Sequence, residues 1–184
     1  MDIVKLSREL MYKQTQKNKS PAWLLTEIAV KKGKELSKKY NVDERLVLTS
    51  LYLAHTIFTA EFEHDTTKNH PELSAEFAKK YLNEWKVSKK EQEIILNAIE
   101  AHHNKVPAKS KIAEVMKNAE CFKFVTVEGS LIWLHELGIR KVSYDEAVKR
   151  VIQKMEEKKK LITLPELKEE VENNCKEIKR LFGH

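Results

Sequence analysis

The chain carries seven histidines, at 55, 64, 70, 102, 103, 135 and 184, and most of them fall between residues 55 and 103. Imidazole is the commonest protein ligand for borderline transition metals, and helical bundles build metal sites from side chains on facing helices. The stretch NAIEAHHNK, residues 97–105, puts His102 and His103 side by side near the end of a helix-patterned run. His55 lies in the apolar run ERLVLTSLYLAHTIF, His70 precedes Pro71, and His64 is followed by Asp65 in EFEHD. Taken singly, each has an ordinary explanation: a core histidine bonded to a carbonyl, a helix-start residue, a polar loop tip, or a cation favoured at a helix C-terminus. His135 and His184 read as surface or core filler. A carboxylate is normally expected beside such histidines, and aspartate is scarce. Asp43 reads as a helix cap, and Asp2 and Asp145 sit near helix starts, which leaves Asp65 for chemistry.

The elements that must position these side chains are helices. Four Gly and four Pro in 184 residues are too few for long strands joined by tight turns, so the chain is expected to be all-α. Ser20-Pro21 offers an N-cap hydroxyl and a first-position proline for a helix running to Tyr40. Asp43 can cap a second helix whose near-continuous apolarity predicts burial all round, carrying His55 into the centre of the domain. A third helix starts at His70-Pro71. Ser88 and Glu91 form a capping box for a fourth, KKEQEIILNAIEAHH. SKIAEVMKNAECFKFV resumes helical periodicity, and Gly129 and Gly138 bracket a short segment, SLIWLHEL. Two further capping boxes, Ser143 with Glu146 and Thr163 with Glu166, open amphipathic helices over 144–160 and 164–182. The organisation predicted is a helical core with a basic N-terminal segment, residues 1–138, and a C-terminal helical extension, 139–184. Packing on the core and a homodimer interface explain the extension equally well, and it is expected to bring no chemistry of its own.

Charge is uneven. Residues 1–40 hold ten Lys/Arg against four acids, which accounts for the whole net charge of +6. Such an end can attract phosphates or nucleic acid, although a solvated, lysine-rich helix face is the default reading. No RNA- or DNA-binding motif or aromatic-interleaved basic stripe supports the nucleic-acid alternative. Cys121 and Cys175 make neither a disulfide framework nor a paired metal spacing. The start MDIVKLSREL has no apolar signal-like run and no stretch approaches membrane-span length, so a cytoplasmic, membrane-free protein is expected.

Residues 21–127 resemble the HD-domain superfamily of metal-dependent phosphohydrolases. LVLTSLYLAHTIF looks like that family's buried second helix, HPELSAEFAKKYL is similar to its third, IILNAIEAHHNK to its fourth, and VMKNAECFKFV stands where the last carboxylate helix should be. Three departures are plain. No histidine precedes His55, where the family has its first one. The His-Asp pair falls on Ala54-His55 or His55-Thr56, neither of which offers aspartate. The last aspartate is replaced by Glu120.

His55, His70, the His102-His103 pair and Glu120 make a set like the second-metal half of binuclear members, and the resemblance implies a divalent transition metal (Mn, Fe, Co, Ni or Zn) held by His55, His70, His102 and Glu120. His64 is a further candidate ligand, and Asp65 or Glu61 can replace the missing carboxylate. On this reading Glu61, Asp65 or His103 handles the proton, Lys105 and Lys123 bind phosphate oxygens, and the substrate is a small phosphorylated molecule, a nucleotide or phosphate ester. The alternative is a binding or regulatory protein on an HD-like scaffold that has lost catalysis, for which the missing histidine and aspartate speak.

Overall fold

In a computed structural model, residues 1–57, 70–103 and 106–183 are described, and they are helical throughout, joined by turns. The helices are α1 (Ile3–Asn18), α2 (Trp23–Tyr40), α3 (Glu44–Leu53), α4 (His70–Glu84), α5 (Lys89–Ala101), α6 (Lys111–Phe122), α7 (Val127–Ile139), α8 (Tyr144–Leu161) and α9 (Lys168–Leu181), with 3-10 turns at Lys123–Val125 and Pro165–Leu167. No helix among the described residues is long and apolar enough to cross a membrane.

α3 is the hub. Asp43 caps it by accepting from the Arg45 amide at 2.9 Å, and every residue from Leu46 to Leu53 is buried. A helix apolar on all faces needs neighbours on all faces, and α3 packs against α1, α2, α4, α5 and α6. Gly33 on α2 makes one of these approaches close: a Cβ there would lie 2.6 Å from Leu51 Cδ1. α5 begins with the expected capping box, Ser88 Oγ accepting from the Glu91 amide and the Glu91 carboxylate accepting from the Ser88 amide.

Several sequence expectations are corrected. α1 had no assigned helix. Its buried face is Ile3, Ser7, Met11 and Thr15, half of it polar, so its four-residue period does not register as apolar. The Ser20-Pro21 peptide is cis and α2 starts at Trp23 with Ala22 as N-cap, so Ser20 is not the cap. Gly129 and Gly138 lie inside α7 instead of bounding a shorter segment. Ser143 precedes α8 without a side-chain cap bond. Thr163 caps nothing either, because α9 begins at Lys168 after a 3-10 turn.

The α8–α9 link is instead clasped by Asn118 of α6. Its Oδ1 accepts from the amides of Thr163 (2.8 Å) and Leu164 (3.1 Å), and its Nδ2 donates to Thr163 Oγ1 (3.1 Å) and the Glu114 carbonyl (2.8 Å). A second tie runs from Lys32 on α2, whose buried ammonium meets Glu170 of α9 at 3.1 Å, Glu35 at 2.9 Å and the face of Phe122. Of the ten basic residues in 1–40, the other nine are exposed.

Candidate metal centre

Three helix ends converge. His55 lies two residues beyond α3, His70 opens α4, and His102 is the C-cap of α5. All three side chains are buried, and one ring nitrogen from each lies within 4.8 Å of the others, a group able to hold a metal ion. Ring centroids are 5.1–5.3 Å apart among these three. His103, partly buried, adds a fourth ring at 4.5 Å from His70 and 4.4 Å from His102.

A metal binds the lone pair of a neutral imidazole, so the tautomers matter. His102 Nδ1–H donates to the Ile99 carbonyl at 2.5 Å, which commits the lone pair to Nε2. That Nε2 is buried with no hydrogen-bond partner among the described residues. His55 Nε2 donates to Glu120 Oε1 at 2.7 Å, leaving Nδ1 as its lone-pair nitrogen. A carboxylate behind a ligating histidine is a recurring arrangement, because it fixes the ring and raises its basicity. Burial pushes all four imidazoles toward the neutral form, with His102 down at about 3 and His55, His70 and His103 also lowered. Neutral rings, one with an orphaned buried nitrogen, fit a borderline transition ion.

The other expected residues stand differently. Glu120 is not in the three-histidine group; besides His55 it meets Lys123 Nζ at 2.5 Å. Burial alone would raise its carboxyl, but Lys123 and His55 outweigh that and hold it well below the usual carboxylate range. Lys123, expected to meet phosphate, is 1% exposed and committed to this ion pair. The residue after His55 is Thr56, whose hydroxyl donates to the Leu53 carbonyl at 3.0 Å. Glu61, His64, Asp65, Lys105 and His184 lie outside the described residues.

One residue was missed. Lys158 of α8 is 2% exposed and its Nζ donates to His103 Nε2 at 3.4 Å, so the C-terminal helices do reach the histidines. Its signal was its phase. In α8 the buried positions are Ala147, Val148, Val151, Met155 and Lys158, which puts this lysine on the apolar face while Lys159 and Lys160 leave it.

The chain matches the HD domain family over residues 22–178 and belongs to that family. The match runs beyond the helices that carry the histidines, through α8 and most of α9. No curated protein and no solved structure matches the chain.

Proposed function

We propose that this chain is a metal-dependent phosphohydrolase with a variant HD centre, acting on a small phosphorylated substrate such as a nucleotide or phosphate ester. The observation that carries the reading is the convergence of the buried, neutral rings of His55, His70 and His102, with His102 Nε2 held open by its Nδ1–H bond to Ile99. These three residues would hold one divalent transition ion. When bound, such an ion supplies Lewis acidity toward a phosphoryl oxygen and lowers the pKa of water.

The chain's own residues do the rest. Glu120 orients His55, and Lys123 keeps Glu120 ionised despite its burial. His103, edge-on to His70 and His102 and only partly buried, is the group placed to pass a proton between the site and its surroundings. Glu61 and Asp65 remain the candidates for the carboxylate that the family's His-Asp pair would supply.

The test is elemental mass spectrometry on full-length protein purified without chelators, followed by a panel of p-nitrophenyl phosphate, nucleoside monophosphates and sugar phosphates. About one equivalent of metal, lost in His102→Ala together with turnover, is the expected result. A second reading, a binding protein that has lost catalysis, is favoured by one observation: among the described residues no carboxylate joins the histidine group. Metal retained with no turnover on any substrate would select it.

A further inference from the structure

Two lysines are buried beside the histidines, and they are not equivalent. Lys123 has its counter-ion, the Glu120 carboxylate at 2.5 Å. Lys158 is 2% exposed, and no carboxylate lies within ion-pair distance of it among the described residues. Its hydrogen-bond contact is His103 Nε2 at 3.4 Å, and the ring of Phe124 lies 6.0 Å from its Nζ. Neither is a counter-ion: the first is a neutral ring and the second is a weak attraction at that distance.

A buried ammonium is ordinarily paired, because its lost hydration must be replaced by an opposite charge. The local count makes the shortfall explicit. Among the described residues, Lys123 is matched by the Glu120 carboxylate at 2.5 Å, whereas the polar contact of Lys158 is the His103 ring at 3.4 Å. A divalent cation in the histidine group would enlarge the excess. A compact dianion seated between that group and α8 would offset most of that positive charge.

We propose that Lys158 is an anion-binding residue, which with His103 forms a subsite on α8 for the phosphoryl dianion of the substrate. The inference deepens the phosphohydrolase reading and rests on it for the identity of the anion; the burial of Lys158 with no carboxylate beside it among the described residues stands without it. Lys158 Nζ donates to a phosphoryl oxygen, a charge-assisted hydrogen bond and stronger than a neutral one. Its contact with His103 Nε2 directs that ring's proton to Nδ1, so one side chain serves both recognition and the orientation of His103.

Isothermal titration calorimetry with inorganic phosphate tests this on the full chain, metal-free and Mn-loaded. Wild type, Lys158→Met, Lys158→Gln, Lys158→Arg and Lys154→Gln are compared, the last being a half-buried lysine one turn away that already pairs with Glu157. Phosphate Kd is expected to rise roughly tenfold or more in Lys158→Met and Lys158→Gln, the loss of one charge-assisted hydrogen bond, and to stay near wild type in Lys154→Gln. Lys158→Arg is expected to retain most of the binding. Thermal unfolding gives an independent readout: in phosphate-free buffer Lys158→Met and Lys158→Gln should melt higher than wild type, and phosphate should raise the midpoints of wild type, Lys158→Arg and Lys154→Gln more than those of these two. Equal phosphate Kd in wild type and the neutral variants overturns the proposal, as does absence of phosphate binding to wild type in both forms. Metal binding is scored separately by elemental analysis, so phosphate binding that depends on Lys158 in a chain that takes up no metal sinks the hydrolase reading and leaves the anion site standing.

Discussion

Glu120 Oε1 accepts from His55 Nε2 at 2.7 Å and from Lys123 Nζ at 2.5 Å, so a single carboxylate oxygen orients a candidate ligand and neutralises a buried ammonium. The two roles separate by mutation. Glu120→Gln keeps the shape but removes the charge behind His55, and metal affinity is expected to fall roughly 10- to 100-fold, as for other residues behind a ligand. It also strands Lys123, with a stability cost of up to about 3–5 kcal/mol. Adding Lys123→Met should restore much of the stability and none of the affinity. Recovery of both in the double variant would show that His55 does not need Glu120.

Acid should destabilise the metal-free fold early. Burial lowers His55, His70, His102 and His103, with His102 at about 3. The unfolded chain binds protons on these rings below about pH 6.5 while the folded chain does not, so stability falls as pH drops from about 6.5 toward 3. Each ring contributes up to about 1.4 kcal/mol per pH unit in that window. Urea midpoints at pH 7, 6 and 5 measure the slope, and a flat response would contradict burial of the neutral rings.

Gly129 controls the backbone that carries Lys123. A Cβ there would sit 1.7 Å from the Lys123 carbonyl oxygen and 2.9 Å from Thr126 Oγ1. Backbone cannot step aside as a side-chain tip can, so Gly129→Ala is expected to cost at least about 1–3 kcal/mol and to disturb the Glu120–Lys123 pair. Gly138→Ala, with open space around its Cβ, is the control, and should be neutral or slightly stabilising by helix propensity. Chemical denaturation of the two variants decides the point.

Asn118 holds the α8–α9 link through three hydrogen bonds, accepting from the Thr163 and Leu164 amides and donating to Thr163 Oγ1. Asn118→Leu leaves the Thr163 and Leu164 amides without acceptors, at about 1–3 kcal/mol for each that stays buried. Limited proteolysis should then cut within 159–168 before any other site. An unchanged cleavage pattern would mean that apolar packing alone secures the link.

Much of this arrangement was legible in the residues. His70 before Pro71, the paired His102-His103 and the all-apolar run leading to His55 each marked a helix end, and those ends meet. The capping oxygens of Asp43 and Ser88 fixed two helix starts. What stayed hidden did so for local reasons. α1 buries Ser7 and Thr15 in positions where periodicity looks for apolar residues. Lys158 stands in a run of three lysines, where composition indicates solvent and only helical phase indicates the interior. Glu120 could be recognised as acidic and central, but its pairing with Lys123 one turn on depends on both being turned inward, which no spacing rule specifies.

The separation of 55 positions in the sequence between His103 and Lys158 also sets an order of assembly. All four clustered imidazoles are synthesised before α8 exists, and α3, α4 and α5 can meet without it. A cation that reaches the nascent site is not repelled by the ammonium that later closes over it. Loading during synthesis is therefore electrostatically easier than loading the finished protein, and metal offered to the growing chain should be captured faster than metal offered after release.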